Sequence, residues 1–440
     1  MSSTSIINLQ GGYPLKGEIV LSGAKNAFPK AMVASLLTTE ACTLTNVPDI
    51  EDVDILIKLI KDMGGTVTKT EDKLVLQTKN LTTVSKKVFD ETCGKSRIPV
   101  LLAGPFLHRL HEAYLPDLGG CAIGARPVDF HLKALQDLGA IYHGVTEEQG
   151  YHLTAEKLVG TKIHLDYPSV GATEQVLFSS VLAEGTTELT GAAVEPEIID
   201  LIQVLQQMGG IIYVHDNRKI LIKGVKKLGG FDYHVIPDRN EAVSWAVAAA
   251  ATDGNIFVRN AQQEDILTFL SVFREAGGNF LVHANGIEFC RGGELKAVTV
   301  ETSPHPGFMT DWQQPLTVML TQAEGHSIIH ETVHENRFGF VATLNKMGAH
   351  IKVSKECMGG ESCRFGHRGF YHSATIIGPT PLVGQEIKVP DLRAGISYLI
   401  AAATAKGTST ISNIGILNRG YPNLLEKLEA VGAKVDLASG

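Results

Sequence analysis

The run Leu56-Ile57-Lys58-Leu59-Ile60-Lys61-Asp62-Met63-Gly64-Gly65-Thr66-Val67-Thr68-Lys69 decides the fold, because its phrase returns five more times. Leu56, Leu59, Ile60 and Met63 keep the spacing of a helix with one buried face. The glycine pair ends that helix as a C-terminal cap, and an apolar strand follows. Equivalent joints stand at Leu138-Gly139-Ala140, Met208-Gly209-Gly210, Ala276-Gly277-Gly278, Met347-Gly348-Ala349 and Val431-Gly432-Ala433. The first glycines are 75, 70, 68, 71 and 84 residues apart. Each copy therefore fills about one sixth of the chain.

Working outward, each copy begins with a small, apolar helix such as Met32-Val33-Ala34-Ser35-Leu36-Leu37 or Trp245-Ala246-Val247-Ala248-Ala249-Ala250. An alternating strand comes next, as in Cys42-Thr43-Leu44-Thr45-Asn46-Val47, Thr187 to Ala192 and Thr408 to Asn413. Acidic residues at Glu51-Asp52, Glu195-Pro196-Glu197 and Glu264-Asp265 then complement the dipole at a helix start. A hairpin such as Thr66–Lys69 with Lys73–Gln77 completes a βαβαββ unit. The expected fold is α/β, with six units divided into two domains of three. The Ala-rich helices fit positions buried on all sides. The Gly-Gly joints are caps and not phosphate loops, since neither GxGxxG nor GxxxxGK[ST] occurs.

At 440 residues the chain exceeds one comfortable core, and 44% hydrophobic with 20% charged residues suits a soluble globular protein. A net charge of -8 gives no general attraction to nucleic acid or an anionic membrane. Any anion must meet a local basic cluster. Six scattered cysteines read as free thiols of a reducing compartment. The N-terminus carries no signal-peptide pattern, and the most apolar stretch, around Ala242 to Ala251, is far short of the ~20 residues that span a bilayer. A cytoplasmic location is expected.

Four kinds of segment break the repeat. Leu118-Gly119-Gly120-Cys121-Ala122-Ile123-Gly124-Ala125-Arg126-Pro127-Val128-Asp129 replaces a plain strand with a glycine loop around one thiol. Arg126 nearby can bias that thiol toward thiolate, although a lone loop cysteine is more often a bystander. Lys25-Asn26 before the first buried helix can hold an anion, or be a solvated turn. Pro304-His305-Pro306-Gly307-Phe308-Met309-Thr310-Asp311 presents Asp311 at a helix start, where Asp is first of all an N-cap candidate. Arg97, Arg337, Arg393 and Arg419 stand at repeat joints. Singly each reads as a surface charge; together they would suit a small polyanion carrying carboxylate and phosphate.

Taken in order, these segments resemble the enolpyruvyl transferase family, in its UDP-N-acetylglucosamine 1-carboxyvinyltransferase branch. The likeness runs nearly end to end and includes Ser169-Val170-Gly171-Ala172-Thr173-Glu174, Pro237-Asp238-Arg239, Glu335-Asn336-Arg337-Phe338, Asp391-Leu392-Arg393-Ala394 and Arg419-Gly420-Tyr421. It implies two inverse α/β-barrel-like domains, residues 25–233 in one and 1–24 with 236–440 in the other, with the active site in the interdomain cleft. It also implies transfer of enolpyruvate from phosphoenolpyruvate to the 3-hydroxyl of UDP-N-acetylglucosamine, the first committed step of peptidoglycan synthesis. On the same ground Cys121 donates the proton to C3 and can form a covalent adduct, and Asp311 acts as base. Lys25, Asn26, Arg126, Arg337, Arg393 and Arg419 would hold phosphoenolpyruvate, and Asp391 would help in proton transfer. The nucleotide sugar would meet Arg97, Arg126, Pro127, Val128, Asp129, Phe130, Tyr167, Pro168, Ser169, Val170, Asp311 and Val333. No cofactor, metal or obligate protein partner is expected.

The sequence departs from the family pattern at Tyr167, where a basic residue is frequent, at Asn240 and Ala242, and at Ile98-Pro99. An insertion near Met358 to Ser373 is a larger departure. With Cys357 it gives the spacing Cys-x5-Cys-x3-His-x4-His over Cys357, Cys363, His367 and His372. That spacing lacks the short CxxC pair of structural zinc sites, so a long surface hairpin is the expected reading. Rival readings are enolpyruvylshikimate-phosphate synthase, a catalytically dead binding paralogue, and a transferase of secondary metabolism with another nucleotide acceptor. The Cys121 loop and Gly124-Ala125-Arg126-Pro127 speak against the first. Joint retention of Lys25, Cys121, Asp311, Arg393 and Arg419 speaks against the second.

Overall fold

All six joint glycines adopt the left-handed backbone that L side chains avoid, with φ of +86° at Gly64, +100° at Gly139, +99° at Gly209, +91° at Gly277, +106° at Gly348 and +77° at Gly432. In the first joint, Gly65 N–H donates to the Ile60 carbonyl at 2.8 Å and Gly64 N–H to Lys61 at 3.0 Å. The same reversed pair closes the helices at Gly139, Gly209, Gly348 and Gly432. These are Schellman caps, and they turn each outer helix straight into its hairpin. The structure, a computed structural model, describes residues 6–84, 96–115, 128–146, 150–360, 363–366 and 368–438. Cys121, Arg126, Pro127 and His367 lie outside the described residues.

The third repeat shows the unit most fully. Strand Lys162–His164 leads through helix Val170–Ser180 to strand Thr186–Thr190, which pairs with it in parallel. Helix Pro196–Gln207 follows, and strands Ile211–His215 and Lys219–Lys223 add antiparallel to finish a four-stranded sheet. Six sheets are present among the described residues, five of four strands and one of three. Three of them take in a strand distant in sequence. Asp232–His234 lies parallel to Cys42–Thr45 in the first repeat's sheet, and Lys16–Val20 lies parallel to Asn255–Arg259 in the fourth. Strand Ile6–Gly11 likewise joins the last sheet, between Gly407–Ser412 and Lys434–Ala438.

This pairing groups the described residues into two units. One takes residues through Ser22 and from Pro237 onward; the other takes those between Gly23 and Ile236. Each unit has its own hydrophobic core. In the first, helices Arg239–Ala251, Gln313–Leu320 and Leu392–Thr404 pack on one another. Every residue of Arg239–Ala251 is buried, which explains its run of alanines: larger side chains would hold the three helices apart. The outer helices are one-sided. In Glu51–Asp62, Val53, Leu56, Leu59 and Ile60 are buried while Asp54 and Lys61 face water. Among the described residues no helix is long and apolar enough to cross a membrane.

Candidate active site

Strand Thr299–Glu301 is followed by the proline-rich approach, which folds on itself as Ser303 N–H donates to the Phe308 carbonyl at 2.8 Å. It delivers the chain to a 3-10 turn, Thr310–Trp312, that opens the buried helix Gln313–Leu320. The N-cap reading of Asp311 is corrected here: Met309 occupies the cap position, and no side chain caps the turn. The carboxylate is taken up by two arginines instead. Asp311 Oδ1 accepts from Arg337 Nη2, and Oδ2 accepts from Arg393 Nε at 3.0 Å. Two of the joint arginines therefore converge on one acid.

Arg337 is 2% exposed, and its Nε and Nη1 have no hydrogen-bond partner. Unused donors on a buried cation are costly, and a carboxylate or phosphate oxygen is the group that satisfies them best. Arg393 lies in the first turn of the helix Leu392–Thr404, whose N-cap is Asp391. The Asp391 carboxylate accepts from Arg393 N–H at 3.0 Å and Ala394 N–H at 3.1 Å. Arg393 Nη1 also donates to Tyr421 Oη at 3.3 Å, and that hydroxyl lies 3.0 Å from Ser244 Oγ. Burial alone would depress the Arg393 guanidinium, but Asp311, Tyr421 and Asp238 hold it above its ordinary range. It is a fixed cation. Arg419 ends the 3-10 run Ile414–Arg419, two residues before Tyr421.

Two supports of this cluster escape the sequence reading. Glu331 is fully buried and accepts four bonds: from Thr310 Oγ1 at 2.8 Å, Gln313 Nε2 at 3.2 Å, Val333 N–H at 2.7 Å and His334 N–H at 2.8 Å. It ties the Asp311 turn to the loop carrying Val333 and Arg337. Asn240, one of the departures from the family pattern, accepts from Trp312 Nε1 at 2.9 Å and so holds the residue next to Asp311. Its neighbour Arg239 lies over the same indole, 5.5 Å from the ring centre.

The other unit gathers a second group. Lys25 Nζ donates to Asp52 Oδ2, and Ser96 Oγ donates to Asp52 Oδ1 at 2.5 Å. Asp52 thus links Lys25 to the start of the Arg97 segment. Lys30 Nζ donates to the Asn26 carbonyl at 2.5 Å and lies 3.4 Å from Glu174 Oε1. Burial pushes the Glu174 carboxyl up to about 7, against the pull of Lys30. In the sequence Glu174 stands out only as the end of the Ser169-to-Glu174 stretch, and Lys30 does not stand out at all. Ser169, with Tyr167 and Pro168 before it, caps the helix Val170–Ser180, its hydroxyl accepting from Ala172 N–H at 3.3 Å. Asp129 and Phe130 open the helix Asp129–Asp137, and Val128 is its N-cap. The two helix starts meet at Gly171, where a Cβ would come within 3.0 Å of His131 Nε2. Burial, with Arg97 nearby, lowers His131 to about 4, so the ring is neutral.

A sequence model of the family "EPSP synthase (3-phosphoshikimate 1-carboxyvinyltransferase)" matches residues 9–428. A protein of Protochlamydia amoebophila named UDP-N-acetylglucosamine 1-carboxyvinyltransferase is 47% identical over 98% of this chain and 94% of its own length. A protein of the same name from Chlamydia pneumoniae is 44% identical over 96% of this chain and 93% of its own. Among solved structures, the enolpyruvyl transferase NikO from Streptomyces tendae superposes with a TM-score of 0.86 at 22% identity over 99% of both chains. EPSP synthase from Acinetobacter baumannii gives 0.75 at 17% identity, over 99% of this chain and 100% of its own. These two structural likenesses speak for the fold.

Proposed function

Since the chain belongs to the enolpyruvyl transferase family, we propose that it transfers the enolpyruvyl group of phosphoenolpyruvate to the 3-hydroxyl of UDP-N-acetylglucosamine, releasing phosphate. This is the reaction named for relatives that match it along nearly their whole length, and it commits the product to peptidoglycan synthesis. The observation that carries the reading is the Asp311 cluster: one carboxylate between two buried guanidiniums, one of which has two unused donors.

The chemistry follows from charge. Phosphoenolpyruvate brings a carboxylate and a phosphate, and buried arginines replace the water those groups lose. When the substrate's anion takes over a guanidinium, an Asp311 oxygen is released to accept the proton of the attacking sugar hydroxyl. Cys121 is read as the donor of the proton that reaches C3, and Lys25, Asn26, Arg126 and Arg419 as further anchors of the substrate. Addition gives a tetrahedral intermediate, and its collapse expels phosphate. Arg97, Arg126 to Phe130, Tyr167 to Val170 and Val333 are read as the nucleotide-sugar contacts. The enzyme's domains are read as residues 25–233 in one and 1–24 with 236–440 in the other, a division within three residues of the bounds of the two compact units. The reading includes a cytoplasmic location and no nucleic-acid or membrane partner.

The test is phosphate release from phosphoenolpyruvate with UDP-N-acetylglucosamine, set beside shikimate 3-phosphate. Release with the sugar nucleotide alone is expected. No release by folded protein at neutral pH would sink the reading, and release with shikimate 3-phosphate would transfer it to the rival enzyme.

A further inference from the structure

The insertion forms the end of a hairpin. Strands His350–Ser354 and Ser373–Gly378 pair antiparallel, and Ser373–Gly378 also pairs with Gly325–His330. As a hairpin it follows the sequence reading, but its cysteines meet a partner that the spacing could not show. His330, Cys357, Cys363 and His372 bring one ligand atom each into a group lying within 4.8 Å of one another. His330 ends the neighbouring strand, 27 residues before Cys357.

Both histidines have their tautomers set for binding. Ser373 Oγ donates to the Glu356 carbonyl at 2.7 Å, so its oxygen is left to accept from His330 Nδ1–H at 2.9 Å. His372 Nδ1 lies 2.8 Å from the Phe370 carbonyl, which can only accept. Each ring therefore turns a bare Nε2 toward the group. His330 Nε2 is 3.7 Å from Cys357 Sγ, and His372 Nε2 is buried with no hydrogen-bond partner. His330 and His372 are 1% and 0% exposed. An acceptor nitrogen so buried is costly to leave unmet, and a cation satisfies it. The loop is fitted closely around the rings: a Cβ at Gly359 would come within 2.0 Å of His330 Cδ2.

We propose that His330, Cys357, Cys363 and His372 form a structural zinc site. Two thiolates and two imidazoles are a tetrahedral zinc set, with four protein ligands and no open position. With bonds of about 2.0–2.3 Å, such an ion holds its donors roughly 3.3–3.8 Å apart, within the spread observed here. Binding releases the two thiol protons and forms two Zn–S and two Zn–N bonds, with no oxidant required. The ion fastens the insertion to the strand end that runs into Glu331, whose N–H donates to the His372 carbonyl at 2.7 Å. Glu331 in turn holds the Asp311 turn. The site is therefore structural, and it stands apart from the reading of the reaction.

The purified, reduced full chain is dialysed against excess Zn2+, desalted, and analysed for metal by mass spectrometry. About one zinc per chain is expected. The double variant Cys357→Ser, Cys363→Ser loses it, while Cys290→Ser keeps it. Ser373→Ala, which removes the partner of His330, should weaken zinc affinity by roughly 10–100-fold. Should the double variant fail to fold, Co2+ added to the metal-free wild-type chain decides the matter. Thiolate-to-cobalt charge transfer with intense tetrahedral d–d bands supports the site. An octahedral spectrum without charge transfer, or retention of zinc by a folded double variant, overturns it. So does failure of the reduced wild-type chain to take up zinc.

Discussion

At the scale of the residue, the acid–arginine cluster makes separable predictions. Asp311→Asn keeps the shape but removes the proton acceptor, so kcat should fall by about 10²–10⁴. Steady-state phosphate release measures it, and near-normal turnover would remove Asp311 from the role of base. Arg337→Lys keeps a charge but loses the fork whose Nε and Nη1 are unused. The KM for phosphoenolpyruvate should rise about 10–100-fold, the worth of one or two charge-assisted bonds. An unchanged KM would mean that those donors face no substrate anion. For Cys121→Ser a severe loss of turnover with an unaltered circular dichroism spectrum is expected, and normal turnover would reject the proton-donor assignment. The sequence made Asp311, Arg337 and Arg393 legible as irregularities, because each interrupts a repeat. It misassigned the immediate duty of Asp311, since a cap and an ion-pair partner look alike until the partners are placed. Glu331 and the His330 ligand were hidden for the same reason: both lie on an ordinary strand end, and their significance comes from residues far along the chain.

At the scale of the element, the six joints share a left-handed glycine in different surroundings. Gly209 has φ of +99° and open space where a Cβ would go; Gly277 has φ of +91° and the Glu294 carbonyl at 2.4 Å from that position. Gly209→Ala bears only the backbone penalty, on the order of 1–2 kcal/mol. Gly277→Ala adds a clash with main chain and should lower the thermal midpoint clearly further. Equal midpoints for the two variants would show that the Glu294 segment yields freely. The helices, caps and hairpins of the repeat were readable because they depend on local spacing and on backbone conformation. Which strand completes each sheet was not. Asp232–His234 beside Cys42–Thr45 and Lys16–Val20 beside Asn255–Arg259 are pairings over long separations, set by the packing of each unit.

At the scale of the whole molecule, acid stability should carry the mark of His131. Burial depresses it from the usual 6.5 to about 4, so the folded chain favours the neutral ring. Its contribution is present above pH 6.5 and is lost as pH falls toward 4, up to about 3 kcal/mol. The thermal midpoint of His131→Gln, followed over that range, should fall less steeply than that of the wild type. Parallel curves would show that the ring is already protonated in the fold. Glu174 acts in the opposite sense: its raised value gives stability below about pH 4.5 that is lost as pH rises through about 7. It therefore offsets part of the histidine effect. The sequence by itself determined the sixfold α/β repeat, the family and the residues that interrupt the pattern, because periodicity, turn chemistry and motif order are written along the chain. Only the tertiary structure decided that Arg337 and Arg393 share Asp311, that Asp52 joins Lys25 to Ser96, and that His330 completes the group with Cys357, Cys363 and His372. Such sites are made by side chains converging in space, and the separation of their residues in sequence carries no record of that convergence.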